Sequence, residues 1–167
     1  MGQMAQKIVK LDLEELLDIL NRAYAEEWLA YYQYWIGAQI VEGPMRTSIQ
    51  EEFMKHAEEE LKHADWLATR IIQLGGKPAL RPEEWSQLAR CKYESPDDKF
   101  VVALLKQNLF SERCAITRYQ ELSEFCFGKD AETWKIATKI LHEELDHEQD
   151  WEDFLADIDS GNNYFNA

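Results

Sequence analysis

The chain reads as an all-α protein, an antiparallel four-helix bundle with one long crossover between its second and third helices. Three observations predict this. Four runs repeat apolar residues in alternating steps of four and three, the spacing of a helical seam that faces a core. Gly75 to Ser95 loses that period for about twenty residues, where antiparallel neighbours need about two to eight, so this stretch returns from one end of a bundle to the other. Each seam also carries an acidic residue partway along, and in two of them a histidine follows three residues later.

The first helix is predicted over Leu11 to Val41, with Leu13, Leu17, Leu20, Tyr24, Glu27, Tyr31, Tyr34, Ala38 and Val41 on its seam. Its neighbour Glu26 falls outside that seam and reads as exposed. Glu42-Gly-Pro-Met breaks the helix, and Ser48 with Glu51 forms a capping box that starts the second. That seam runs Ile49, Phe53, His56, Glu60, His63, Leu67, Ile71 and Leu74, up to Gly75-Gly76. Within the crossover, Pro82 to Ala89 is a short helix candidate. Ser95-Pro96-Asp97-Asp98 has the cap, proline and first-turn acids of a helix start. The third seam follows as Val101, Leu105, Asn108, Glu112, Ala115, Tyr119, Leu122 and Cys126. Gly128 ends that helix and Asp130 caps the fourth, whose seam is Thr133, Ala137, Ile140, Glu144, His147, Trp151, Phe154 and Ile158. Ser160-Gly-Asn-Asn and a short aromatic tail are then expected to close the chain, with no room for a fifth helix.

A chain of 167 residues fits one domain spanning 1–167. Its formal net charge of −14, without a basic run, sets nucleic acid and anionic membranes aside and makes cations natural partners. No stretch of eighteen apolar residues occurs, and Met1 to Lys10 lacks the apolar core of a signal peptide, so a soluble, cytoplasmic protein is expected. The Met-Gly start has Gln6 where a myristoylation pattern needs Ser or Thr. Three cysteines without Cys-x-x-Cys spacing argue against a zinc ribbon or a thioredoxin site.

The chemistry sits in the seams. In Glu60-Leu-Lys-His63 and Glu144-Leu-Asp-His147 the Glu and His leave one helix face about 4.5 Å apart along the axis, a spacing that lets both hold one ion. Glu27 and Glu112 are the seam acids of the other two helices, so the arrangement is a pseudo-symmetric pair of helical hairpins. Four buried carboxylates cost several kcal/mol each unless compensated, and two divalent cations would neutralise them. These hard donors suit iron or manganese, although affinity order alone leaves zinc open. The alternative, a metal-free polar network, requires every member to be satisfied.

A Glu from each of two helices and a Glu-x-x-His from each of the other two is the constellation of ferritin-like di-iron bundles. Over Leu11 to Ile158 the chain resembles the bacterioferritin and Dps-like branch of that superfamily. The resemblance is densest in Glu27-Trp-Leu-Ala-Tyr-Tyr-Gln-Tyr34, Glu60-Leu-Lys-His-Ala-Asp65 and Ile140-Leu-His-Glu-Glu-Leu-Asp-His147. It implies two iron ions per subunit, Glu27 and His63 terminal on one, Glu112 and His147 terminal on the other, and Glu60 and Glu144 bridging. Tyr34 matches a tyrosine near the di-iron site of bacterioferritins that could quench or relay an electron. Leu61 stands where bacterioferritins carry a haem-ligating Met, so haem is not implied by that route. The absent fifth helix favours a homo-oligomeric shell of twelve subunits. The combination resembles the Dps-like thioferritins, which set cysteines near such a site. Here Cys91 and Cys114 could pair, or all three cysteines could be inert buried thiols.

The implied activity is a ferroxidase that oxidises ferrous iron with hydrogen peroxide or dioxygen and stores ferric mineral in a hollow shell. Its rivals are a manganese catalase or rubrerythrin-type peroxidase on the same scaffold, and a non-catalytic shell with a vestigial site. His56 reads as a satisfied core histidine or a solvent-facing end residue rather than a third metal site, and His142 as surface. Tyr24, Tyr31, Trp35, Trp66 and Trp151 read as core or interface packing.

Overall fold

The computed structural model describes residues 3–165, and side chains as far as residue 161. The Met-Gly start and the side chains of the aromatic tail, Tyr164 and Phe165, lie outside the described residues. Among the described residues six helices follow one another: α1 (Gln3–Lys7), α2 (Leu13–Ile40), α3 (Arg46–Gln73), α4 (Pro82–Leu88), α5 (Val101–Cys126) and α6 (Ala131–Phe165). Helices α2 with α3 and α5 with α6 form two antiparallel hairpins that pack along their lengths. The expected bundle is therefore present, with α4 inside the crossover and resting on α2. No helix among the described residues is long and apolar enough to cross a membrane.

Helix α2 starts where Asp12 accepts a hydrogen bond from the Glu15 amide, with Glu14 and Glu15 in the positive first turn. Two expected helix starts are corrected. The Ser48/Glu51 capping box does not form, because α3 already begins at Arg46 behind Met45 in the left-handed conformation, with φ of 59°. Helix α5 begins at Val101, not after Ser95, and Phe100 provides no side-chain cap. One contact explains both: Glu42 N–H donates to the Lys99 carbonyl at 2.9 Å, and Val101 N–H donates to the Glu42 carbonyl at 2.8 Å. That bridge holds Phe100 extended and ties the α2–α3 turn to the start of α5. Gly43 turns beside it with φ of 118°, and a Cβ there would come within 2.8 Å of the Phe100 ring. Two further differences concern the ends. Helix α1 is additional, tied by Gln6 Nε2 to the Leu74 carbonyl at 2.8 Å, and α6 continues through Ser160-Gly161 to Phe165 instead of stopping there.

The core comes in two parts. At one end Leu16, Leu20, Leu67, Ile71, Leu122 and Ile140 pack together; at the other, Val41, Ile49, Phe53, Leu105 and Trp151 do. All eight predicted seam residues of α3 are buried. In α2 the buried stripe is shifted, with Leu16 and Ala23 fully buried and Leu17 and Tyr24 only packed against them. Between the two apolar parts lies a polar layer.

Candidate metal centre

Glu27 comes from α2, Glu60 and His63 from α3, Glu112 from α5, and Glu144 and His147 from α6; each is at most 3% exposed. All six are thus brought to one height of the bundle. His63 Nδ1 lies 3.3 Å from Glu27 Oε2, 3.1 Å from Glu60 Oε2 and 3.3 Å from Glu144 Oε1. His147 Nδ1 lies 3.3 Å from Glu60 Oε1, 3.8 Å from Glu112 Oε2 and 3.6 Å from Glu144 Oε2. The donors accordingly fall into two sets, Glu27, Glu60, His63, Glu144 and Glu60, Glu112, Glu144, His147, with ligand atoms in each within 4.8 Å of one another. Glu60 and Glu144 belong to both and turn one oxygen to each side.

Hydrogen bonding alone does not satisfy this layer. Its carboxylate oxygens face only two inward ring nitrogens and one phenol, and Glu27 Oε2, Glu60 Oε1, both Glu144 oxygens and His147 Nδ1 are buried without a hydrogen-bond partner. Buried polar atoms are rarely left so. An electron-pair acceptor such as a divalent cation in each set would engage these oxygens, so the donor set fits the group that the resemblance implies.

The titration of the layer follows from the same crowding. Burial and the charge of Glu60 push the Glu27 carboxyl well above its ordinary range, and burial with the charge of Glu144 does the same to Glu112. Burial also disfavours the imidazolium of His63 and of His147, but the surrounding carboxylates outweigh it and raise both. For Glu60 and Glu144 burial is likewise outweighed, here by the adjoining imidazoles, and both carboxyls are lowered. In the cation-free layer protons are thus favoured on Glu27, Glu112 and the two imidazoles and disfavoured on Glu60 and Glu144.

Several contributing residues lie off the seams. His63 Nε2 is 2.8 Å from Glu143 Oε2, and His147 Nε2 is 3.1 Å from Glu59 Oε2, so each ring can donate outward while its Nδ1 faces the layer. Carboxylates in that position fix the orientation and tautomer of a ligating imidazole. A legible signal existed, since each half carries a Glu directly before its seam Glu. The Tyr119 phenol, which burial and Glu27 hold well above its ordinary pKa, donates to Glu27 Oε1. Its place seven residues after Glu112 repeats that of Tyr34 after Glu27. The Tyr34 hydroxyl instead accepts from Trp151 Nε1 at 2.8 Å, with its ring centroid 6.4 Å from that of His147.

Glu26 is corrected from exposed to buried, at 7%. The crossover covers this face: Glu26 Oε1 accepts from the amides of Arg90 and Cys91 at 2.5 and 3.2 Å, while the Arg118 guanidinium binds both carboxylate oxygens at 2.8 Å. That clamp sets Cys91 against α5, where it forms a disulfide with Cys114. Cys126 is buried and free, and burial with the charge of Asp130 pushes its thiol up to about 12. A cavity of about 30 Å³, room for about one water, touches Cys91, Glu27, Glu60, Glu112, Tyr119 and Glu144 and so connects the disulfide side to the layer. His142 is exposed as expected. His56 is fully buried; its Nε2 reaches Asp150, but its Nδ1 has no hydrogen-bond partner.

Comparison with known proteins agrees with this geometry. The family model described as a ferritin-like domain matches residues 17–160. The DNA protection during starvation protein of Pyrococcus furiosus is 36% identical over 90% of this chain and 82% of its own length. The bacterioferritin of Rhodobacter capsulatus is 28% identical over 78% of this chain and 73% of its own. Among solved structures, the dodecameric thioferritin described as the bacterioferritin-related protein from Bacteroides fragilis is 54% identical, with a TM-score of 0.96 over 98% of this chain and 99% of that one. The chain belongs to the ferritin-like family of iron-storage proteins, as a Dps-like, bacterioferritin-related member.

Proposed function

We propose that the chain oxidises ferrous iron with hydrogen peroxide or dioxygen at the layer of Glu27, Glu60, His63, Glu112, Glu144 and His147, and stores the ferric product in a hollow shell. The whole chain acts as one domain in this reading, and the shell is a cytoplasmic dodecamer, as in the Bacteroides fragilis relative. The observation that carries the proposal is the sharing of Glu60 and Glu144 between two donor sets, with otherwise unpartnered oxygens inside. Glu27 and His63 serve one ferrous ion, Glu112 and His147 the other, and Glu60 with Glu144 bridges them.

Two ferrous ions bound together supply the two electrons that reduce peroxide to two waters, without a one-electron step that would release hydroxyl radical. The protein does the rest. Glu59 and Glu143 hold the outer ring nitrogens, so that His147 and His63 present Nδ1. The two apolar core halves exclude bulk water above and below. The two protons that the reduction of peroxide consumes come from solvent, because those on Glu27, Glu112 and the imidazoles leave when the cations bind. Tyr34, hydrogen-bonded to Trp151, can relay an electron to the layer. The DNA protection in the Pyrococcus relative's name corresponds, in this chain, to removal of iron and peroxide, because a chain of net charge −14 is repelled by phosphates.

The test is stopped-flow oxidation of ferrous iron by peroxide in the wild type and in E60A/H147A, both confirmed as assembled by light scattering. Loss of at least about 100-fold in rate is expected, since bridging and terminal donors go together. Equal rates defeat the assignment. Manganese analysis with an oxygen-evolution assay separates a catalase from a ferroxidase.

A further inference from the structure

The two hairpins are related by a near-constant offset: adding 84 takes Glu59, Glu60 and His63 to Glu143, Glu144 and His147, and adding 85 takes Glu27 and Tyr34 to Glu112 and Tyr119. Among the places where the relation fails is one polar edge of the layer, on the side of α3 and α6. Glu52, His56 and Asp150 correspond to Ile136, Ile140 and Trp66, so one edge carries two carboxylates and an imidazole where the other is apolar. The paired oxidation chemistry does not call for these three polar residues, because its other half operates without their counterparts.

Their geometry is that of a binding site. His56 Nε2 lies 3.3 Å from Glu52 Oε1 and 3.2 Å from Asp150 Oδ2, and a ligand atom from each residue lies within 4.8 Å of the others. His56 is fully buried, it turns Nε2 and not its unpartnered Nδ1 to the two carboxylates, and its ring stacks on His147 at a centroid distance of 3.9 Å. Glu52 and Asp150 are partly exposed, which opens the cluster to solvent between α3 and α6. A cation already sits there: Lys55 Nζ is 2.5 Å from Glu52 and 3.8 Å from Asp150. Its counterpart Lys139 has no such cluster and lies 3.6 Å over the Trp66 ring.

We propose that Glu52, His56 and Asp150 form a third, mononuclear divalent-cation site at the His147 edge of the layer, occupied when the exposed Lys55 ammonium swings away. One imidazole and two carboxylates suit the borderline cations of the iron, cobalt and zinc type. This revises the expectation that His56 is a satisfied core or solvent-facing residue. The binding itself does not rest on the proposed oxidation.

Anaerobic calorimetric titration of the assembled protein with Co2+ tests it. Wild type is expected to take up about three ions per chain, E52Q/D150N about two, and E60Q/E144Q about one, retained at the third site. Glu52 and Asp150 are partly exposed, so the first variant keeps its fold, which circular dichroism and light scattering check. Uptake by E52Q/D150N equal to that of the wild type overturns the third site and leaves the paired site standing. Uptake of about one ion by the wild type, lost in E52Q/D150N, upholds the third site and removes the paired one.

Discussion

The two halves of the carboxylate layer have the same inner donors and different surroundings. Around His63 stand Trp66 and Glu143, with the Tyr119 phenol on Glu27; around His147 stand His56, Glu59 and Tyr34, whose hydroxyl is turned to the Trp151 indole. On the proposed function the sameness is what two equivalent cations would require, namely one imidazole, one terminal carboxylate and a share of two others. The difference belongs to traffic. One edge is closed by an indole and isoleucine, and the other is open and acidic. A duplicated hairpin thus keeps its donor geometry while its flanks are free to diverge.

The largest effect that probes this arrangement is the pH dependence of cation binding, which both halves contribute to equally. Glu27, Glu112, His63 and His147 all have raised pKa values in the cation-free layer, so each keeps its proton to higher pH than the free group does. A cation takes the place of those protons. Affinity therefore rises with pH, and each proton released adds about tenfold per pH unit to the product of the two binding constants, for up to about four protons. Calorimetry in buffers of different ionisation enthalpy counts them. A count near zero would mean that the groups are already deprotonated, and a count near two would mean that one half is.

The outer carboxylates sharpen the comparison at the next scale. E59Q and E143Q are symmetry-matched, and each replaces the charged acceptor of one ring Nε2 by a neutral amide oxygen. A loss of about 10–100-fold in affinity at one cation site is expected from each, because such partners orient the ligating imidazole. Comparable losses in Mn2+ affinity support equivalent halves. A loss confined to E59Q would show that the His147 side dominates binding.

How much of this was legible depends on which physical signal each residue leaves. Seam periodicity located the buried stripe of α3 residue by residue, and the same signal placed Glu27, Glu60, Glu112 and Glu144 inside the bundle, where their charge called for compensation. Glu26 was misread because periodicity reports one face toward one core, whereas the crossover covers a second face of α2 and supplies two backbone amides to it. The starts of α3 and α5 were misread for a related reason: a backbone bridge between Glu42 and residues 99–101, distant in sequence, overrode local capping patterns. His56 was in the right seam, yet its partner Asp150 lies in another helix, 94 residues away. Only the offset between the hairpins, applied position by position, would have shown that Glu52, His56 and Asp150 have no counterparts.

The smallest predicted effect separates the two tyrosines. Y34F leaves the buried Trp151 N–H without an acceptor, and Y119F leaves Glu27 Oε1 without a donor. Each costs about 1–3 kcal/mol, because an orphaned buried polar group loses its desolvation compensation. At about 2–4 °C per kcal/mol for a chain of this size, both variants unfold several degrees below the wild type when free of cation. Loading with Mn2+ should divide them. A cation gives the Glu27 oxygens a new partner, so the Y119F deficit shrinks, whereas the indole of Trp151 has no cation within reach of its N–H and the Y34F deficit persists. Equal recovery of both variants would place Tyr34 in the layer itself, and no recovery in either would take Glu27 out of the cation's reach.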